Sequence, residues 1–355
     1  MRVHHIVSNY SMFMGGAERV VRSLHAGLRN RKIESYVLGL MQQIDPDVDG
    51  AQSLGLKSPY DLRAFYGIHR YIAKNVRPAD IVHVQLFPPL FYVSLLNLLG
   101  QCRGQLVCTE NSTSNRRRGT LIGRLLDTIT YSGYEQVVAI SEGVEQELLN
   151  WRPELKGKTR VILNGTSLYF ERVIQREPKK RLKVLSIGNL RPAKNYDNAL
   201  KAMALLDGVD FEYQIAGKGA CLDGLARLSR ELGLESKVRF LGYVETIPEL
   251  LASADIFLMP SRWEGFGLAA VDAMNASLPL VVSDVPGLRE VVKGDSPCAI
   301  LVDPESPESI AGGLQRLLVS SELRLRLGEN AFKQAQKFSV DQMVEAYIDL
   351  YGEFI

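Results

Sequence analysis

Four cysteines in 355 residues (Cys102, Cys108, Cys221, Cys298), none in a C-x-x-C pair, leave no disulfide framework or clustered zinc site to organise the chain. That cysteine usage leads one to expect a reducing compartment. Long hydrophobic runs are lacking too. The longest, Leu86–Leu99, is too short to span a bilayer and holds Pro88 and Pro89 near its start, so it reads as a buried helix. No secretory leader is expected, because Met1-Arg-Val-His-His-Ile-Val reads directly as a first strand, and the sequons at Asn111, Asn164 and Asn275 therefore carry no message. There is no short-period repeat, no low-complexity tract and no complete G-x-G-x-x-G. Extreme charge is also missing. The net charge is +2, with 46% apolar and 23% charged residues, an ordinary globular composition for which no nucleic-acid partner is expected.

The small net charge hides an asymmetry. Residues 1–172 hold 21 Lys and Arg against 15 Asp and Glu, or +6; the remainder holds 21 against 25, or −4. A basic first half suits association with an anionic membrane face, and ordinary surface variation accounts for it as well.

What is present is a β–α alternation that occurs twice. Apolar runs predict strands at Val3–Ser8, Ser35–Leu40, Asp80–Gln85, Gly104–Thr109, Gln136–Ser141 and Thr159–Leu163, with helical patterns such as Ala17–Leu28, Tyr60–Lys74 and Leu121–Tyr131 between them. After a charged stretch containing Pro178-Lys-Lys-Arg181, strands restart at Leu182–Ile187, Phe211–Ala216, Val238–Leu241, Ile256–Met259, Leu280–Ser283 and Ala299–Val302. Helices near Pro307–Leu318, Ser321–Lys337 and Val340–Phe354 close the chain. The fold class is therefore α/β, with two Rossmann-like domains whose ligands bind beyond the C-terminal ends of the strands, in the cleft between them. The expected division is 1–168, a linker at 169–181, a second domain at 182–337, and a last helix at 338–355 returning to the first.

The most informative stretch is Ser261-Arg-Trp-Glu264-Gly265-Phe266-Gly267-Leu268, running on to Asp272 and Met274. A helix opening on Gly265-Phe-Gly267 offers unpaired backbone N–H groups to an anion with little steric cover. Glu264 and Asp272, eight residues apart, would lie on roughly the same side of a helix, about 12 Å apart along its axis. Carboxylates beside a phosphate site serve to accept hydrogen bonds from hydroxyls. The implied ligand carries both phosphate and hydroxyls, as a nucleotide-sugar does; a plain strand–loop–helix connection fits the same residues.

Other candidates also follow strands. Gly15 and Gly16 open a helix after the first strand, where a tight turn would serve equally well. His83 and Gln85 share one side of the third predicted strand; the histidine reads as a core residue and Gln85 stands at the strand's end. Thr109-Glu110-Asn111 can reach sugar hydroxyls, and Arg116–Arg118 suit phosphate or an anionic membrane. Gly188, Arg191 and Lys194 can clamp a diphosphate and neutralise a leaving group. Asp45-Pro-Asp47-Val-Asp49 contains a D-x-D that reads as a solvated loop, and Gly217-Lys-Gly219 is half of a glycine fingerprint that reads as a turn.

Together these motifs resemble the retaining glycosyltransferases of family 4, whose fold is GT-B. Glu264-Gly-Phe-Gly-Leu268…Asp272-Ala-Met274 is similar to that family's E-G-F-G-L-x-x-x-E-A-M. Gly15-Gly-Ala-Glu18, Asp80-Ile-Val-His83, Ala139–Val144, Asn164-Gly165, Gly188–Lys194, Phe240-Leu-Gly242 and Phe338-Ser339 extend the likeness over nearly the whole chain. The resemblance implies a metal-independent, cofactor-free hexosyl transfer from a nucleotide-sugar, UDP-sugar favoured and GDP-sugar possible. The implied acceptor is a lipid-linked or polysaccharide glycan, as in lipopolysaccharide or capsule synthesis, at the cytoplasmic face of the membrane.

By the same resemblance Glu264 takes hydroxyls of the donor sugar, and backbone N–H groups from Phe266 to Leu268 hold the diphosphate with Lys194. Gly16 closes over the donor, Gly242 and Val244 line the base, and Asp272 stands where a glutamate grips the ribose. Asn189 occupies a place often held by the diphosphate arginine, which Arg191 can replace. Gln85 and Asn111 stand where relatives have histidines facing the reacting centre; with Glu110 and Glu264 they make up the catalytic candidates. Two other functions fit the pattern: a nucleotide-sugar 2-epimerase and a non-catalytic partner subunit that binds nucleotide-sugar.

Overall fold

A computed structural model of the chain describes residues 1–10, 15–41, 48–114, 118–206 and 208–354. The chain divides into two compact units, Met1–Gly165 with Val340–Ile355, and Thr166–Ser339.

Unit 1 is built on a parallel sheet with seven strands among the described residues: β1 (Arg2–Val7), β2 (Glu34–Met41), β3 (Ala51–Leu56), β4 (Ile81–Gln85), β5 (Gln105–Glu110), β6 (Gln136–Ala139) and β7 (Thr159–Val161). Their order is β3-β2-β1-β4-β5-β6-β7. The reversal at β1 is the topological switch point of a doubly wound sheet. Helices α1 (Gly16–Asn30), α2 (Arg63–Asn75), α3 (Pro89–Leu98), α4 (Leu121–Ser132) and α5 (Glu142–Trp151) connect the strands. The central strands are buried on both faces, as continuous runs such as Ile81–Val84 require. The exception is β3, a mainly exposed edge strand whose sequence, Ala-Gln-Ser-Leu-Gly-Leu, carries no apolar run; the sequence reading has no strand there.

Unit 2 repeats the plan with β8 (Leu182–Ile187), β9 (Phe211–Ala216), β10 (Val238–Gly242), β11 (Ile256–Met259), β12 (Leu280–Ser283) and β13 (Ala299–Val302), in the order β10-β9-β8-β11-β12-β13. Its helices are α6 (Tyr196–Ala204), α7 (Leu222–Glu231), α8 (Ile247–Ser253), α9 (Leu268–Asn275), α10 (Pro286–Val292), α11 (Pro307–Val319) and α12 (Ser321–Ala335). Phe211, Tyr213, Ile256, Leu258 and Val281 lie in its core.

Residues 169–181 hold no strand or helix, yet they are strapped to unit 2. Asn275, fully buried at the end of α9, exchanges two hydrogen bonds of 3.0 Å with the Phe170 backbone. The half-buried Arg176 guanidinium donates to the carbonyls of Leu251, Ala254, Ile174, Ala276 and Ser277. The last helix, α13 (Val340–Gly352), belongs to unit 1. There the Tyr351 hydroxyl and His83 Nδ1 are 2.7 Å apart, and His83 Nε2 lies 2.7 Å from the Thr109 hydroxyl. Among the described residues no helix is long and apolar enough to cross a membrane.

Candidate functional site

In unit 2 the loops after β8 and β11 meet at the C-terminal edge of the sheet. The first contains Gly188, exposed Arg191 and a 3-10 turn at Pro192–Lys194, and ends on Asn195 in the left-handed region (φ 58°). Asn195 Nδ2 donates to the Pro260 carbonyl at 2.9 Å and the Pro304 carbonyl at 2.6 Å, tying three strand-end loops together. Arg262 fastens the same junction: its backbone N–H donates to Ala193 O at 2.9 Å, and its guanidinium grips Asp197 through both oxygens (3.1 and 2.9 Å) and Glu305 at 3.1 Å. A bidentate fork of this kind fixes geometry as well as charge. Arg262 has no role in the sequence reading; only Asp197, 65 positions away, reveals one.

That scaffold brings Lys194 to Glu264. Nζ and Oε2 are 2.5 Å apart and both side chains are partly shielded. The Ser261 hydroxyl donates to the same oxygen at 3.5 Å. Gly267 then takes φ +94° at the N-cap of α9 and supplies no side-chain cap, so the helix opens with bare amides. A Cβ at Gly267 would stand 2.5 Å from Leu288 Cδ2, and one at Gly287 would stand 2.4 Å from the Glu264 carbonyl oxygen. Both positions must be glycine for the 264–267 loop to lie flush on α10. Phe266 is buried, its ring edge-on to Phe338 at 5.5 Å. Its side chain is therefore withdrawn from any ligand at the start of α9.

The placement of the two carboxylates corrects one expectation. Glu264 lies in the loop four residues before α9, and left-handed Gly267 breaks the register, so Glu264 and Asp272 are not two positions on one helix. Asp272 is 2% exposed and accepts the Thr166 hydroxyl at 2.5 Å. Gly242 ends β10, and its carbonyl accepts the Gly217 N–H at 2.7 Å, while Gly188 N–H donates to Ala216 O at 2.9 Å. Gly242 and half-buried Val244 thus stand along the same edge as Gly188, two strands over.

The corresponding edge of unit 1 gathers Gln85, Glu110 and Asn111. Register pairs Val7 with Gln85 and Gln85 with Thr109, so their strand ends are neighbours. Gln85 is fully buried, and neither its Oε1 nor its Nε2 has a hydrogen-bond partner among the described residues; Asn111 Oδ1 lacks one as well. Glu110 is different. Its Oε1 accepts the N–H groups of Asn111 (3.1 Å) and Ser112 (3.0 Å), and its Oε2 accepts the Tyr131 hydroxyl at 2.5 Å, so it shapes the loop that presents Asn111. Gly15 caps α1 and Gly16 is its exposed first residue.

Two buried groups went unread in the sequence. Asn9 Nδ2 donates to no partner among the described residues, and His5 pairs there through neither ring nitrogen. Alternation along β1 was the available signal for His5. Arg116 lies outside the described residues, as do Asp45 and Asp47 of the D-x-D; Arg118 donates to Thr113 O at 2.7 Å. No group of three or more His, Cys, Asp and Glu able to hold a metal occurs among the described residues.

Burial governs the titration of unit 1. It pushes the His83 imidazole down to about 3. His5, 5.5 Å from His83 and 6.4 Å from His25 between ring centres, is held well below the usual histidine value by burial first and by those two neighbours second. His83 is thus a neutral core residue.

The family described as Glycosyl transferases group 1 matches residues 170–334, and Glycosyltransferase Family 4 matches residues 14–169. An uncharacterized glycosyltransferase of Methanocaldococcus jannaschii is 32% identical over 77% of this chain and 75% of its own length. The N-acetylgalactosamine-N,N'-diacetylbacillosaminyl-diphospho-undecaprenol 4-alpha-N-acetylgalactosaminyltransferase of Campylobacter jejuni is 25% identical over 93% of this chain and 94% of its own. Among solved structures, Anabaena HepE in complex with UDP-glucose has a similar fold, with a TM-score of 0.79 at 18% identity over 99% of this chain and 100% of HepE.

Proposed function

Because the chain belongs to the GT-B glycosyltransferases, group 1 in its second half and family 4 in its first, we propose that it transfers a sugar from a UDP-sugar to a lipid-linked or polysaccharide acceptor, with retention at the anomeric carbon. The observation that carries the reading is the Lys194–Glu264 pair at the uncapped start of α9. A cation, a carboxylate and a row of backbone donors are what a diphosphate joined to a sugar requires. Lys194, exposed Arg191 and the amides of Phe266 to Leu268 would hold the diphosphate and stabilise the charge it gains as it departs. Glu264 would accept hydrogen bonds from sugar hydroxyls. Gly242 and Val244 would line the base, and Gly16 would contact the donor.

Asp272 already serves Thr166, so any ribose contact must share this carboxylate with that hydroxyl. In unit 1, the unpartnered amides of Gln85 and Asn111 have the capacity to orient an acceptor hydroxyl or to shield an oxocarbenium-like centre through their oxygens. No protein base is needed if the departing phosphate takes the acceptor's proton, and no step calls for a metal. UDP is favoured over GDP because HepE carries UDP-glucose. A lipid-linked acceptor follows the undecaprenol named for the Campylobacter relative, and such an acceptor would be met at the inner face of the cytoplasmic membrane.

The test is transfer from UDP-sugars to polyprenyl-diphosphate glycans and polysaccharides, with the product's anomeric configuration read by NMR. Transfer with retention in the wild type, lost in Glu264→Ala with the fold intact, is expected. Inversion, or wild-type turnover in the variant, would overturn the assignment.

A further inference from the structure

Unit 2 contains a cavity of about 270 Å³ at the N-terminal edge of its sheet, the end remote from Lys194 and Glu264. Leu182 at the start of β8, Asp255 just before β11 and Pro279 just before β12 form its inner side. Lys194 and Glu264 follow the other ends of β8 and β11, so the length of those strands separates the two places. One wall is α12, where Ser321, Arg324, Leu325 and Glu329 recur at helical spacing and share a side. Another wall is the stretch from Val173 to Lys179, which is pinned along its length. The Ile174 N–H donates to Ser277 Oγ at 3.2 Å, Arg176 makes its five hydrogen bonds to carbonyls, and Lys179 Nζ lies 2.8 Å from Asp255 Oδ1. A cavity between walls held in this way is formed before any ligand arrives.

The lining is apolar with a cation set into it. Val173, Ile174, Pro178, Leu182, Pro279 and Leu325 supply the carbon surface. Arg324 is half-buried, and its Nη1 donates to the carbonyls of Leu317 (2.6 Å) and Leu318 (3.2 Å) in the last turn of α11, which fixes the guanidinium. Its Nε and Nη2 make no hydrogen bond among the described residues, and neither is sealed from solvent. The other charges of the lining are accounted for. Asp255, its buried acid, accepts Lys179 at 2.8 Å and the Lys183 N–H at 2.8 Å. Arg176 is spent on carbonyls, and Glu177 and Glu329 are exposed, where water screens them. Among the described residues, Arg324 is thus the lining charge that combines shielding with open donors.

We infer that this cavity is a second ligand site, which takes a small carboxylate with an apolar body. The carboxylate lies against Nε and Nη2 of Arg324, a planar pair of donors that matches its two oxygens. The apolar body covers the carbon surface of the walls. A purely apolar ligand would close the guanidinium off from water without giving it a partner, which is costly for a charge. A phosphate dianion would bring a second negative charge toward Asp255, Glu177 and Glu329, with no second open cation to meet it. The volume stands near the lower limit of ligand pockets, about 300 Å³, so the ligand is small. The inference uses only this end of unit 2. It stands or falls separately from the sugar transfer, so its test contains neither donor nor acceptor.

The test is calorimetric titration of octanoate into the whole chain, with octanol as the control for the charge and acetate as the control for the apolar body. Saturable octanoate binding is expected, with octanol and acetate each weaker by roughly tenfold or more. Arg324→Met keeps an apolar stem and removes the fork, and should lower octanoate affinity by about tenfold or more. Because Arg324 also holds two carbonyls of α11, a second variant separates loss of the ligand contact from loss of structure. Leu325→Asp, at a position 53% exposed, sets a carboxylate in the wall and should lower octanoate affinity by about tenfold or more with thermal unfolding unchanged. Absence of saturable octanoate binding would overturn the inference. So would octanol binding as tight as octanoate binding, or full octanoate binding by folded Leu325→Asp.

Discussion

At the C-terminal edge of the unit 2 sheet, charge meets charge: Lys194 lies on Glu264, and Arg262 spans Asp197 and Glu305. Asn195 ties down the carbonyls of neighbouring loops through its Nδ2, and its Oδ1 is the one buried side-chain polar atom of unit 2 without a partner among the described residues. At the equivalent edge of unit 1, Gln85, Asn9 and Asn111 keep buried polar atoms without partners among the described residues. Leaving such an atom unpaired costs about 1–3 kcal/mol, so three such residues in one place are a substantial burden on a domain's stability. The contrast separates two kinds of readiness. Unit 2 holds a preorganised charged cluster whose members neutralise one another. Unit 1 holds unspent hydrogen-bonding capacity, which a hydroxyl-rich ligand can use. The histidines divide the same way: all five fall in residues 1–83, and residues 166–339 contain none.

Breaking the unit 2 side should have the largest effect. Glu264→Ala removes the acceptor for sugar hydroxyls and leaves Lys194 unopposed, and transfer should fall roughly 10²- to 10³-fold in a kcat/KM comparison, with thermal unfolding little changed.

Between pH 7 and pH 5, where histidines titrate, acid should act on unit 1, which holds all five of them. The folded-state values of His5 and His83 lie below that of an unfolded histidine, so the unfolded chain takes up protons first. The stability these groups contribute is complete above about pH 6.5 and declines below it, for His83 until the pH nears 3, by about 1.4 kcal/mol per pH unit for each group. Calorimetry between pH 7 and pH 5 should show a shift in melting that His83→Gln reduces; the same shift with His83→Gln would place its origin elsewhere.

Gly287→Ala presses a methyl group onto the Glu264 carbonyl and should destabilise unit 2 by about 2 kcal/mol in denaturant unfolding. It should also weaken UDP binding, since the loop that carries Glu264 must move.

The smallest effect is the most discriminating between the two units. Replacing Gln85 by leucine removes two unpaired polar atoms from a buried position, so the free protein should gain up to about 1 kcal/mol while transfer slows. A loss of stability would mean that Gln85 has a structural partner, and the contrast between the edges would fail.

Much of the architecture was legible in the sequence because buried parallel strands are short apolar runs, and Ile256–Met259 and Val3–Val7 read as such. β3 escaped because an exposed edge strand carries no such run. The place of Glu264 in the loop that leads into α9 was legible too, because the strand before it and the glycines and helix after it are local in sequence. Its supposed alignment with Asp272 was misread because one left-handed glycine breaks the helical register. The tasks of Glu110 and Arg262 depend on Tyr131 and Asp197, partners that no local pattern announces. Leu121 and Leu125 of α4 look like core residues in the sequence, and only the fold turns them outward.

The central claim is that Lys194, Glu264 and the start of α9 form a diphosphate site, and calorimetric titration of UDP into the whole chain tests it most directly. The account predicts saturable binding that Lys194→Ala weakens by about tenfold or more while the fold is kept. UDP binding of equal strength in the wild type and in Lys194→Ala would contradict it.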